Sequence, residues 1–207
     1  MLNGIHRAVV NIRGCNGAGK SSIPMSMLDD PELYVISKSY QGKQKNIATV
    51  FPSYGWVVLG TYFNKTGGLD GFPNTEFTKK VFWYILKKFP QYNIMLEGVI
   101  SSTVFSTYAE LYREAKRKYP ETDFCVVYLM PPVETCIKRI YKRNGGKPIK
   151  EELVKSKWQT NFRGCEKFKN VKEVNTITWD NTGCLKKGKP KLINQLETIL
   201  DDELLPF

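Results

Sequence analysis

Residues Gly14-Cys15-Asn16-Gly17-Ala18-Gly19-Lys20-Ser21 satisfy every fixed position of the pattern G-x-x-x-x-G-K-[ST], and no other stretch restricts the architecture so strongly. Such a loop binds phosphate only when a buried strand runs into it and a helix runs out, so the motif dictates local topology as well as ligand. Both flanks are present. Ala8-Val9-Val10-Asn11-Ile12 is a short β-branched run ending just before Gly14, and Ser22-Ile23-Pro24-Met25-Ser26-Met27-Leu28 continues as a helix provided Pro24 lies in its first turn. Glycines let the backbone wrap an anion with N–H groups pointing inward, and the helix adds its positive end. Lys20 adds a full charge and Ser21 offers a hydroxyl to magnesium. Gly14, Asn16, Gly17, Ala18, Gly19, Lys20, Ser21 and Ser22 are therefore the candidate nucleotide-binding residues.

Asp29-Asp30-Pro31 breaks the first helix, Leu33-Tyr34-Val35-Ile36-Ser37 reads as a second strand, and residues 37–45, polar and lysine-bearing, read as an exposed loop. Pro52-Ser53-Tyr54-Gly55 is a turn between two β-rich runs, 47–51 and 56–62, which predicts a hairpin. A glycine-rich loop over 64–71 precedes a helix over 74–89, capped by Asn74 or Thr75. The run 93–99 reads as a buried strand interrupted by Glu97, a carboxylate that is costly to bury unless something uses it. A helix over 106–119, an apolar strand over 124–130, helices over 134–143 and 150–162, a strand over 173–179 and a helix over 191–200 follow. This alternation predicts an α/β fold, a parallel sheet with helices on both faces and one small antiparallel insertion at 47–62. Ligands of such sheets sit beyond the carboxyl ends of the strands, where the loop at 14–21, Glu97 and the segment after Met130 all fall.

A length of 207 residues suits a single domain over 1–207 that needs no covalent staple. The cysteines, Cys15, Cys125, Cys136, Cys165 and Cys184, show no C-x-x-C spacing, so neither structural zinc nor a disulfide scaffold is indicated, and a reduced cytoplasmic setting is expected. No apolar run approaches the length of a membrane span, so no membrane partner is expected. The net charge of +11 favours polyanionic partners. It is clustered: residues 138–172 hold twelve Lys or Arg against three Glu, a basic helical region suited to a lid over a phosphate site. His6, the single histidine, precedes the first strand and suits neither a metal site nor a triad.

A phosphate loop alone does not separate kinases from GTPases or motor ATPases, but no N-K-x-D guanine signature and no apolar strand ending in a D-E pair accompany it. Transfer of a phosphoryl group to a hydroxyl needs positioning, charge neutralisation and a proton acceptor. Lys20, Arg139 and Arg143 are the candidate cations, Asp70 and Glu97 both qualify as the acceptor, and Ser21 with Glu97 as magnesium ligands. Tyr40, Tyr54, Trp56, Tyr62, Phe63 and Phe72 surround the insertion and the glycine-rich loop. Trp56 reads as core, whereas Tyr62 and Phe63 divide between core and stacking on a base.

Several short stretches carry a resemblance: Asn11-Ile12-Arg13-Gly14, Leu59-Gly60-Thr61-Tyr62 with Gly67-Gly68-Leu69-Asp70, Leu96-Glu97-Gly98-Val99, and Cys136-Ile137-Lys138-Arg139 with Arg143. Together they resemble bacteriophage P-loop kinases, a family that includes the 5-hydroxymethyluracil DNA kinases. The resemblance implies a P-loop kinase-like fold and transfer from ATP, with Mg2+, to the hydroxymethyl group of a modified pyrimidine in DNA, in the host cytoplasm. A kinase acting on a free nucleoside or nucleotide, and an ATP-sensing nucleic-acid-binding module, are the alternatives. Pro24 departs from the family pattern, and beyond the first turn it would cost the helix about 3 kcal/mol. Oligomeric state is not encoded in any of these features.

Overall fold

The computed structural model describes residues 7–63, 68–98, 101, 103–184 and 189–204; His6, Gly67 and Val99 lie outside these. The central strand is β1 (Ala8–Arg13), buried along its whole length. It is followed by α1 (Ser22–Met25), β2 (Tyr34–Tyr40), β3 (Lys43–Phe51), β4 (Trp56–Leu59), α2 (Thr75–Lys88), β5 (Asn93–Glu97) and α3 (Ser106–Lys118). Then come β6 (Asp123–Leu129), α4 (Val133–Arg143), α5 (Glu151–Phe168), β7 (Asn175–Trp179) and α6 (Leu192–Leu204). One seven-stranded sheet holds them in the order β2-β3-β4-β5-β1-β6-β7. From β4 to β7 every pairing is parallel, while β2–β3 and β3–β4 are antiparallel, so the expected parallel sheet with an antiparallel insertion is found.

Successive residues of β1 feed opposite layers, Val10 and Ile12 with Met27, Met95 and Leu196 on one face, Val9 with Phe82, Tyr112 and Phe124 on the other. Because both faces are covered, the parallel strands are apolar without alternation. The strand order turns back at β1, which has β5 on one side and β6 on the other, and that reversal opens a crevice at the carboxyl edge.

Four local expectations need correction. Residues 37–45 are not a loop: β2 and β3 continue as a hairpin closed by Gln41 and Gly42, with φ of 49° and 74°. Positive φ at both turn positions is the mark of a primed hairpin turn. The stretch hid because it has no buried face and no Asn-Gly or Asp-Gly at its tip. The antiparallel insertion therefore begins at Tyr34 rather than at Ile47. The helix after the phosphate loop is only four residues long. Pro24 lies in its first turn, where its missing N–H is no loss, so it introduces no kink, and the chain then tightens through Met27 N–H donating to Pro24 C=O at 3.1 Å. Finally, α5 and α6 run past their expected ends, to Phe168 and Leu204, because Cys165 and Phe168 continue the buried face of the first and Leu204 packs against the core from the second.

Candidate active site

The phosphate loop leaves the end of β1 and folds tightly against α4. Gly17 has φ of 80°, and a Cβ there would stand 2.4 Å from the Cys136 carbonyl oxygen, so both backbone shape and space demand glycine. Lys20 is buried and folded back on its own loop, its Nζ donating to the carbonyls of Gly14 at 3.0 Å and Cys15 at 3.1 Å. Burial pushes its pKa down, while Glu97, Cys15 and Asp70 pull the other way. With only one turn of helix behind the loop, the anion cradle relies more on loop N–H groups and Lys20 than on a helix dipole. Asn16 keeps its side-chain oxygen buried without a partner, while Ser22 opens α1 and is half-buried. The Cys15 and Cys136 Sγ atoms are 3.4 Å apart. The Cys136 thiol, helped by Lys20, holds Cys15 below its ordinary range against the opposing effect of burial.

Glu97 ends β5, paired with Ile12 of β1, and is 1% exposed. The Ser21 hydroxyl donates to both of its carboxylate oxygens, at 3.2 and 3.3 Å. Desolvation raises the Glu97 pKa, and Asp70 adds to that rise, while Lys20, Tyr62 and Ser21 oppose it. Tyr62, also buried, carries a hydroxyl with no hydrogen bond of good geometry. Burial, with the nearby Glu97 charge, pushes its phenol well above the usual range.

Asp70 reaches this centre through close backbone stacking. The turn Gly68–Gly71 lies against both β4 and β5: a Cβ on Gly60 would stand 2.2 Å from the Gly68 carbonyl oxygen, and one on Gly68 would stand 2.4 Å from Glu97 Oε1. Gly98 likewise leaves room for Asp70, since a Cβ there would sit 3.1 Å from its Oδ1. Asp70 is half-buried, and its charge is felt at Lys20, Glu97 and Tyr62. Lys20 with Ser21, Asp70 and Glu97, from three separate stretches of the chain, thus converge on one carboxyl edge.

Arg139 and Arg143 part company. Arg139 Nη1 donates to the carbonyls of Gly17 at 3.4 Å and Ala18 at 3.2 Å and to Asn181 Oδ1 at 3.0 Å, and its Nη2 donates to the Asn181 carbonyl at 3.1 Å. Arg143 is exposed in the last turn of α4. Asn181, absent from the candidates drawn from sequence, donates to the Ala18 carbonyl at 2.7 Å and completes a brace behind the loop. Its signal was slight, an Asn two residues beyond a strand end. Arg13, at the end of β1, is buried between Phe168 and Tyr108 at 4.6 and 5.2 Å from their ring centroids, with its Nη2 donating to the Val104 carbonyl. Of the aromatic candidates, Trp56 is core, Tyr62 is buried beside Glu97 and Phe63 is 57% exposed.

The hard-oxygen pair Ser21 and Glu97, beside a phosphate loop, fits magnesium, which takes few protein ligands and completes its shell with water and phosphate oxygens. Among the described residues no group of three or more His, Cys, Asp or Glu forms a metal cage, and no helix is long and apolar enough to cross a membrane.

A family model described as 5-hmdU DNA kinase matches residues 5–177 of the chain. The chain belongs to the 5-hmdU DNA kinase family. The match covers every candidate residue drawn from the sequence, and Asn181 lies just beyond it. The 5-hmdU DNA kinase of Bacillus phage SP10 is 48% identical over 176 residues, which is 83% of this chain and 26% of that protein. The 5-hmdU DNA kinase 1 of Salmonella phage ViI is 33% identical over 153 residues, 72% of this chain and 64% of that one. The 5-hmdU DNA kinase of Pseudomonas phage M6 is 30% identical over 177 residues, 83% of this chain and 91% of that one. The chain therefore spans about a quarter of the SP10 protein and just under two thirds of the ViI one, but nearly all of the M6 enzyme.

Proposed function

We propose that the protein transfers the γ-phosphoryl group of ATP to the hydroxymethyl group of 5-hydroxymethyluracil within DNA, in the cytoplasm of an infected host. The convergence of Lys20, Ser21, Asp70 and Glu97 at the mouth of a phosphate loop supports this reading, in a chain of a family whose named members are DNA kinases. The loop N–H groups of residues 14–22 cradle the donor phosphates, and Lys20 swings from its own carbonyls onto them. Ser21 and Glu97 would hold magnesium, which when bound would supply charge neutralisation for the phosphate oxygens. Arg139, bonded to the loop, is a positioning residue that stiffens the cradle, and the basic helices of residues 138–172 cover the donor side, with Arg143 at their rim.

Asp70 takes the proton. Glu97 is committed to Ser21 and buried, whereas Asp70 is half-exposed on the acceptor side of the same centre. The hydroxymethyl oxygen attacks the γ-phosphorus, the bond to the β,γ-bridging oxygen breaks, ADP departs with the electron pair, and the hydroxyl proton passes to the Asp70 carboxylate.

Labelled-phosphate transfer from ATP tests the reading. Label entering DNA that contains 5-hydroxymethyluracil, and not unmodified DNA, is the expected result. Label entering only the free nucleoside or nucleotide overturns the DNA assignment, and label entering no acceptor overturns kinase activity.

A further inference from the structure

The β2–β3 hairpin extends beyond the catalytic centre described above. The last β3–β4 pairing is Ala48 with Leu59, and Gly60 N–H donates to the Ile47 carbonyl, so residues 37–46 continue past the end of β4. At about 3.3 Å per residue they rise about 15 Å above the carboxyl edge that carries the phosphate loop, Glu97 and Asp70. Within residues 34–46 stand Lys38, Lys43 and Lys45, and no Asp or Glu. Lys38 lies directly opposite Lys45, and Tyr40 opposite Lys43. Residues opposite one another, and those two apart, share a face, so all three cations flank Tyr40 on one side of the ribbon. Like charges opposed in this way destabilise an isolated hairpin.

That basic face is held firmly. Tyr40 packs edge-on against Phe77 at 4.5 Å between centroids, Phe77 against Phe72 at 5.1 Å, and Lys38 Nζ lies 4.4 Å from the centroid of Tyr84. A bulge between Ile36 and Ser37 turns the distal half of the ribbon. Phe72 directly follows the turn that carries Asp70, so the same aromatic chain ties the hairpin to the acceptor side of the site. A polar cleft runs between them, with Gln44, Lys45 and Asn46 on one wall and Gly68, Gly71 and Phe72 on the other.

We propose that this hairpin is the arm that holds the acceptor strand, with backbone phosphates on Lys38, Lys43 and Lys45 and the strand seated along the cleft beside Asp70. The inference rests on the DNA-kinase reading above. It separates the acceptor grip from the denser basic region at 138–172, where Lys155 and Lys169 are already paired with Glu152 and Glu166 at 2.9 and 2.7 Å.

The test is the salt dependence of KM for DNA bearing 5-hydroxymethyluracil, measured on the wild-type chain and on the triple variant Lys38→Gln/Lys43→Gln/Lys45→Gln. Removing one lysine that neutralises a phosphate should flatten the log–log salt slope by about 0.7 to 0.9, so the triple variant should lose about 2 to 3 from the slope. Its KM for DNA should rise on the order of tenfold, with kcat at saturating DNA and KM for ATP unchanged. Lys43→Gln alone, at an exposed position, should flatten the slope by just under one and guards against a folding defect in the triple variant. The control variant Lys155→Gln/Lys169→Gln should leave the slope as it is. If the hairpin lysines serve only to protect the edge strand β2 from pairing with other chains, the triple variant will aggregate while its slope and KM stay at wild-type values, and the inference fails. A flattened slope in the control variant instead also overturns it. Absence of transfer to DNA by the wild-type chain would refute the functional reading itself, a distinct outcome.

Discussion

The Ser21 hydroxyl donates to both carboxylate oxygens of Glu97, joining the end of the phosphate loop to the end of the neighbouring strand across 76 positions of sequence. Glu97→Gln should lower turnover on the order of a hundredfold, by removing a charge that holds the metal beside the transferring phosphoryl group. Its effect on stability should have the opposite sign. Burial raises the Glu97 pKa in the folded chain above the unfolded value of about 4.3. The folded state therefore binds the proton more tightly, and near pH 7.5 the ionised carboxylate lowers stability. Thermal melts without nucleotide should show a higher Tm for the variant at pH 7.5. That gain should shrink as the pH falls through the folded pKa towards the unfolded one.

Lys20→Ala should cut turnover by on the order of a hundredfold or more while the circular dichroism spectrum and cooperative melt are retained, because the side chain is charge supplied to the transition state rather than a core contact. Activity close to wild type would be incompatible with the nucleotide site.

Asp70→Asn should lower kcat by on the order of a hundredfold with little change in KM for ATP, since the amide keeps the shape of the turn but accepts no proton. Single-turnover transfer at saturating ATP and DNA reads this directly. A large loss in Glu97→Gln beside a silent Asp70→Asn would transfer the base role to Glu97.

Gly60→Ala probes the stacking that delivers Asp70. Gly60 has φ of 89°, and the added methyl would meet the Gly68 carbonyl, so both strain and a clash arise. A loss of about 1 to 3 kcal/mol in stability is expected from denaturant melts. The residual activity of the folded fraction should fall as well, because Gly68 abuts Glu97.

Arg139→Ala and Asn181→Ala should each raise KM for ATP several-fold, and the double variant should do little more than the worse single one. The two side chains bond each other and share the Ala18 carbonyl, so their coupling should reach about 0.5 to 1 kcal/mol.

Local sequence alone determined the phosphate loop, the strand before it, the apolar strand that runs from Asp123 to Leu129, and a helix cap at Asn74 or Thr75, of which the structure takes Asn74, whose side chain accepts from Phe77 N–H. These are encoded by spacing, by capping chemistry and by burial on both faces, all of which act within a few residues. Glu97 was legible for a related reason, as a carboxylate in a run that otherwise demands burial. Residues 37–45 were not legible as strands, because a ribbon without a buried apolar side chain leaves no alternation to read. Tertiary structure alone decided that Arg139 grips the phosphate loop while Arg143, four residues on, faces solvent, that Asn181 belongs beside the loop, and that Arg13 is held among aromatic rings. It also decided how Gly60, Gly68 and Gly98 bring Asp70 to Glu97. Those relations depend on contacts between strands adjacent in the sheet but distant in the chain, and a side chain's partner across such a distance is set by strand order and packing.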